Sequence, residues 1–169
     1  MTIATPAARV PLGASTLNRK YWLDVRDPGT TEWLGVHGIQ ELKAKPSEPT
    51  SQDDSDFDGE GYKSSTVTAL AHGVELKVVR KSTAAASTDY DPGQEVLRLA
   101  ALNMGVANRV EYRLYEMEPE GPRVEAFQGF ASVTWAPDGG GMDALDTVTV
   151  GLVGQGKLTP TVHPETVTT

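Results

Sequence analysis

Residues 109–117, Arg-Val-Glu-Tyr-Arg-Leu-Tyr-Glu-Met, decide the fold class. Val110, Tyr112 and Leu114 fall on one side of an extended chain, and Arg109, Glu111 and Arg113 fall on the other. A period of two with one apolar phase buries one face of a strand and leaves the other to water. The pattern recurs upstream. In 20–26, Tyr21, Leu23 and Val25 oppose Lys20, Asp24 and Arg26. In 33–43, Leu34, Val36 and Leu42 share a phase, with Gly35 and Gly38 as bends. Residues 65–70 and 73–81 alternate as two runs, the second placing Val74, Leu76 and Val78 inward and Glu75 and Lys77 outward. Downstream, Phe127, Ala131, Val133 and Trp135 are in phase, then Val148, Val150 and Leu152, and a short run follows at 158–163. Turn signals separate the runs at Asp27-Pro28-Gly29, at Glu118 to Pro122 and at Pro137 to Gly141.

One segment has a different period. Asp91 suits a helix N-cap, Pro92 the first helical position, and Gln94 the reciprocal position of a capping box. Val96, Ala100 and Met104, with Leu97 and Ala101, give an apolar stripe, and Gly105 suits the residue beyond the end. The spacing predicts a helix over about 92–104, too short to stand without a sheet beneath it. Composition agrees with a mainly β chain: 17 valines and 18 threonines among 169 residues, punctuated by 17 glycines and 11 prolines. The predicted fold is an antiparallel β-sandwich or partly open barrel with one flanking helix. Residues 1–19 read as an irregular arm, 20–163 as a single β domain, 46–63 as a long acidic loop within it, and 164–169 as a flexible tail.

Composition also excludes functions. With no cysteine, disulfides, thiolate catalysis and iron–sulfur clusters are out. A net charge of −8, with 15 basic and 23 acidic residues, is unsuited to clamping phosphates. No apolar run reaches the ~18 residues of a membrane helix, and residues 1–13 hold no leader-like apolar core. Gly151 to Lys157 imitates a phosphate loop, but Leu158 occupies the Ser/Thr position and Thr159-Pro160 cannot open a helix. His37, His72 and His163 have no ligand spacing, and no G-x-S-x-G elbow is present. The chain is read as non-enzymatic and free of cofactors. Asp54, Asp56 and Asp58 with Gly59 match half of a calcium loop, yet the closing Glu position is Ser65. They support a second reading, a monomeric β-sandwich module binding carbohydrate with calcium; a solvated acidic loop is the simpler account. Phe57 and Tyr62 sit in this loop, either folded back on the domain or held at a subunit contact.

The order of several short motifs carries a resemblance. These are Glu48-Pro49-Thr50 leading into Ser55-Asp56-Phe57-Asp58-Gly59, then Ser64-Ser65-Thr66, then Asp91-Pro92-Gly93-Gln94 at the helix start. The Phe127–Gly129 stretch with Val133 and the run Leu152-Val153-Gly154-Gln155-Gly156 follow. From about residue 18 onward the chain resembles the major tail proteins, or tail tube proteins, of long non-contractile-tailed bacteriophages, particularly those of actinobacterial hosts.

The resemblance implies a structural virion protein with no enzymatic activity. Six copies would form a ring, and rings would stack into a hollow tube that conducts DNA into the host. Its partners would be itself, the tape measure protein, and the distal tail and tail terminator proteins. DNA would pass without specific binding, no membrane would be involved, and assembly would occur in the bacterial host cytoplasm. The loop 46–63, with Asp54, Asp56, Phe57, Asp58 and Tyr62, would contact the next ring or subunit. Open strand edges favour such closure, and distinct loops suit heterologous contacts. Six copies at −8 carry about −48, a charge that repels DNA wherever it lines the lumen. By strand phase, Glu41, Glu75 and Glu111 are the lumen-facing candidates.

Overall fold

A computed structural model describes residues 13–84, 87–117 and 122–164. Residues 1–12 of the irregular arm expected at 1–19, most of the turn at 118–122 and residues 165–169 of the tail expected at 164–169 lie outside the described residues. Seven strands are present: β1 Tyr21–Arg26, β2 Leu34–Gly35, β3 Ile39–Asp53, β4 Ser65–Val79, β5 Arg109–Glu116, β6 Ala126–Pro137 and β7 Thr147–Pro160. Among the described residues one α-helix, α1 Pro92–Ala101, interrupts them. All neighbours are antiparallel, in the order β2-β1-β5-β6-β7-β4-β3. The molecule is thus a mainly β antiparallel sheet with one flanking helix, and the described strands do not close into a barrel.

One phase of each strand makes the core. Leu23 and Val25 of β1 meet Val110, Tyr112 and Leu114 of β5 and Ala131 and Val133 of β6. Val148, Val150 and Leu152 of β7 and Val74, Leu76 and Val78 of β4 complete it, with Leu97 and Ala100 of α1 laid across. β1 and β4 are far apart in the strand order yet share one core, so the sheet folds over on itself. Its edges lie near each other: the edge strands β2 and β3 are joined by residues 36–38 alone, and Asn18 Nδ2, just before β1, donates to Leu42 O of β3 at 2.6 Å.

Several boundaries differ from the sequence reading. The strand expected over 33–43 is broken into β2 and β3 by a bend at 36–38. The runs 65–70 and 73–81 are one strand, β4, and 158–160 belongs to β7. The loop expected over 46–63 is shorter: β3 runs through Asp53, and only 54–64 is a connection. Pro46 and Pro49 argued against a strand, but an edge strand tolerates a missing N–H. The helix ends at Ala101 rather than near 104. Asn103 Nδ2 takes the Leu99 carbonyl at 2.8 Å, and Leu102 N–H donates to Leu99 O, tightening the last turn.

The helix start is as expected in position and different in wiring. Asp91 Oδ2 accepts from Gln94 N–H at 3.0 Å, so it is the N-cap. Gln94 does not reach back to Asp91. Its Nε2 donates to His37 O at 2.7 Å and Val79 O at 3.0 Å, joining the helix to the β2–β3 bend and the end of β4. Gly93 makes this contact possible, since a β-carbon there would overlap the Gly35 carbonyl.

Candidate assembly interface

β3 and β4 pair from Ile39 and Val78 out to Asp53 and Ser65. β7 supports β4 only between Gly73 and Val79, and then stays with β6 to Pro160. Beyond that fork, 46–53 and 65–71 form a two-stranded arm, and every residue of both stretches is exposed. Side chains at the tip and along the strands include Phe57, Tyr62, Val67 and Leu70, all exposed. An isolated two-stranded ribbon is marginal in water, and this one leaves its apolar side chains uncovered.

The tip is folded by its own polar groups. Ser64 N–H donates to Ser55 Oγ at 2.9 Å and Asp54 N–H to Ser64 O at 3.2 Å. Asp56 Oδ1 accepts from Asp58 N–H at 3.1 Å and caps a single turn over Phe57–Gly59. Thr66 donates its hydroxyl to Asp54, and Ser55 N–H donates to Asp53 Oδ1 at 2.9 Å. These donors hold Asp53 and Asp54 below the ordinary carboxylate range. Asp54 and Asp56 thus serve local donors, and no group of three His, Asp or Glu that could hold a metal ion occurs among the described residues.

His72 marks the fork. It is buried, with Nδ1 2.7 Å from the Tyr112 hydroxyl. Its ring lies against Gly129 and Gly154, and a β-carbon on Gly154 would overlap both ring and carbonyl oxygen. Burial lowers the imidazole pKa, with the Gly156 backbone acting in the other direction. Burial pushes the Tyr112 phenol up to about 12.

Side by side, β3, β4, β7 and β6 present a second, uncovered face. Across it, Lys43 faces Glu75, Gly151 and Thr134 in one row, and Lys77 faces Thr149 and Ala136 in the next. Lys45 Nζ lies 2.5 Å from Glu75 Oε1 and 3.5 Å from Glu48 Oε1, and Lys43 Nζ lies 3.9 Å from Glu75 Oε2. Lys77 Nζ lies 2.9 Å from Asp138 Oδ2. Lys77 and the hydroxyls of Thr147 and Thr149 hold the Asp138 carboxyl down to about 2. This face ends at an edge on each side. No described strand pairs with the outer edge of β3. β6 pairs with β5 only through Ser132, so no strand pairs with that side of 133–137. The Asn108 side chain meets the Val133 amide and carbonyl there. Near the β3 edge, Tyr21, Trp22, Leu23, Ile39 and Leu42 line a groove of about 410 Å³.

Sequence reasoning put Glu41, Glu75 and Glu111 on one phase. Glu41 and Glu75 are exposed on the uncovered face. Glu111 is only 7% exposed, and its carboxylate accepts from Arg26 Nε at 2.7 Å and Gln128 Nε2 at 2.6 Å. A carboxylate buried among its own donors within the subunit is not presented to a channel. Asp58, Phe57 and Tyr62 cluster at the arm tip, and neither aromatic folds back on the body. Sequence reading found 65–70 as an alternating run separate from the rest of β4 and missed its partner, the outer half of β3 at 46–53.

No family model matches the chain, and no curated protein does. Solved structures do. A chain of the anti-feeding prophage baseplate, six-fold symmetrised, superposes with a TM-score of 0.60 at 6% identity, covering 88% of this chain and 98% of that one. A chain of the gene transfer agent tail, with C6 symmetry, gives 0.53 at 11% identity, covering 88% and 100%. The SPP1 tail tube gives 0.55 at 13% identity, covering 88% and 81%. The coverage and TM-scores show that the chain shares the fold of these chains from phage tails and related injection particles.

Proposed function

We propose that the chain is the building block of a tail tube, assembling into stacked rings of six that carry DNA from a phage-type particle into a bacterium. The observation that carries this reading is the uncovered four-stranded face with a lateral edge on each side, in a chain with a tail-tube-like fold. Main-chain pairing of the β3 edge of one copy with the 133–137 edge of β6 in the next removes both edges and extends the face around a ring. The symmetry of the anti-feeding prophage baseplate and of the gene transfer agent tail supports six as the ring number. The helix then lies outside, and Glu41 and Glu75 line the channel. The arm, with Asp54, Asp56, Phe57, Asp58 and Tyr62, reaches the adjacent ring. Further partners are the tape measure, distal tail and terminator proteins, and the site of action is the virion after assembly in the host cytoplasm. Particles whose tails contain this chain should show, by negative-stain microscopy, rings or a tube with an axial channel. A chain that stays monomeric in the presence of its assembly partners, or that binds a glycan in a calcium-dependent way, would refute the reading.

A further inference from the structure

Glu75 stands between two lysines on the uncovered face. One oxygen lies 2.5 Å from Lys45 Nζ, and the other lies 3.9 Å from Lys43 Nζ. Around them the face offers small or hydroxylic side chains, Gly73, Gly151, Thr134 and Thr149. Exposed ion pairs add little to stability, so this arrangement is a weak device for holding the fold. Its effect on local charge is direct. An ammonium without a carboxylate neighbour is a phosphate ligand, and each phosphate contact adds salt-sensitive affinity through counterion release. The net charge of −8 does not prevent this, because carboxylates farther away than a Debye length of about 10 Å are screened.

We propose that Glu75, the carboxylate that Lys43 and Lys45 share, keeps the two from gripping a passing nucleic-acid polyanion together. This inference rests on the uncovered face lining the channel of the proposed tube. Glu75 acts through the lysines it neutralises: repeated around a ring and along the stack, its loss would leave Lys43 without this carboxylate and Lys45 with only the longer contact to Glu48, exposing rows of ammonium groups to the phosphates. Lys77 is held separately by Asp138 and is not part of this set.

The test uses particles whose tails are built from the full chain, with tail formation scored by microscopy and DNA release followed by dye fluorescence. Glu75→Gln should leave tail formation intact and slow release several-fold at low ionic strength, and added salt should erase the delay. Combining Glu75→Gln with Lys43→Gln and Lys45→Gln should restore release. Unchanged release in Glu75→Gln tails, or a delay that persists in the triple variant, overturns the inference while leaving the tube intact. If Glu75→Gln tails do not form, the Lys43→Gln and Lys45→Gln chain decides, because slower release than the unsubstituted chain overturns the proposal and equal or faster release supports it. Absence of a tube from the unsubstituted chain sinks the proposed function itself.

Discussion

A single imidazole sits where the arm leaves the body. His72 is enclosed by Gly129, Gly154 and the Tyr112 hydroxyl, and burial depresses its pKa. The unfolded chain therefore binds a proton more readily than the folded one. Stability from this site is complete above the ordinary imidazole value of about 6.5 and is lost as pH falls through it toward the lowered folded value. Urea midpoints measured at about pH 7 and about pH 5 should drop more for the native chain than for His72→Gln, whose amide carries no charge. An equal drop in both would assign the acid sensitivity to other groups. His72 looked like a scattered histidine in the sequence. Its significance comes from two glycines more than 50 positions downstream, which no local reading connects.

At the scale of elements, α1 depends on its cap more than on its length. Asp91 accepts from Gln94 N–H and also meets His37, at 2.6 Å between Oδ1 and Nδ1. Asp91→Ala should cost about 1–2 kcal/mol, lowering the melting temperature by several degrees in a thermal scan. The His37 pair adds little to this, since that side chain is largely exposed. Asp91 and Pro92 were legible because capping is local chemistry. So were β1, β5 and the first half of β7, where alternation reports a buried face. Gln94 was legible as an N-terminal residue and not as the link between three elements. The outer half of β3 was illegible, and 65–70 was not joined to the rest of β4, for a physical reason: periodicity records burial within the subunit, and neither face of the arm is buried there.

On the scale of the whole molecule, body and arm are energetically separate. The core cluster includes no residue from 46–53 or 65–71. Replacing 49–70 with an Asn-Gly turn between Glu48 and Ala71, which already face each other, should leave a folded body. Its melting temperature should stay close to that of the native chain, and its ring stacking should be lost. A large fall in melting temperature would mean that the arm supports the body, and normal tubes would remove it from the stacking contact. The uncovered face leads to a different view of charge from the one composition suggests. Its lysines pair with carboxylates, so the face is nearly compensated rather than carrying the −8 of the chain.

The strand order has a consequence for biosynthesis. β7 lies between β4 and β6, yet the ribosome makes it after both. Until residues 147–160 have been translated, the β3–β4 ribbon and the β1–β5–β6 group have no shared strand to unite them. A nascent chain therefore displays neither lateral edge at its final spacing. Insertion of one late strand sets the moment at which the two groups become one sheet.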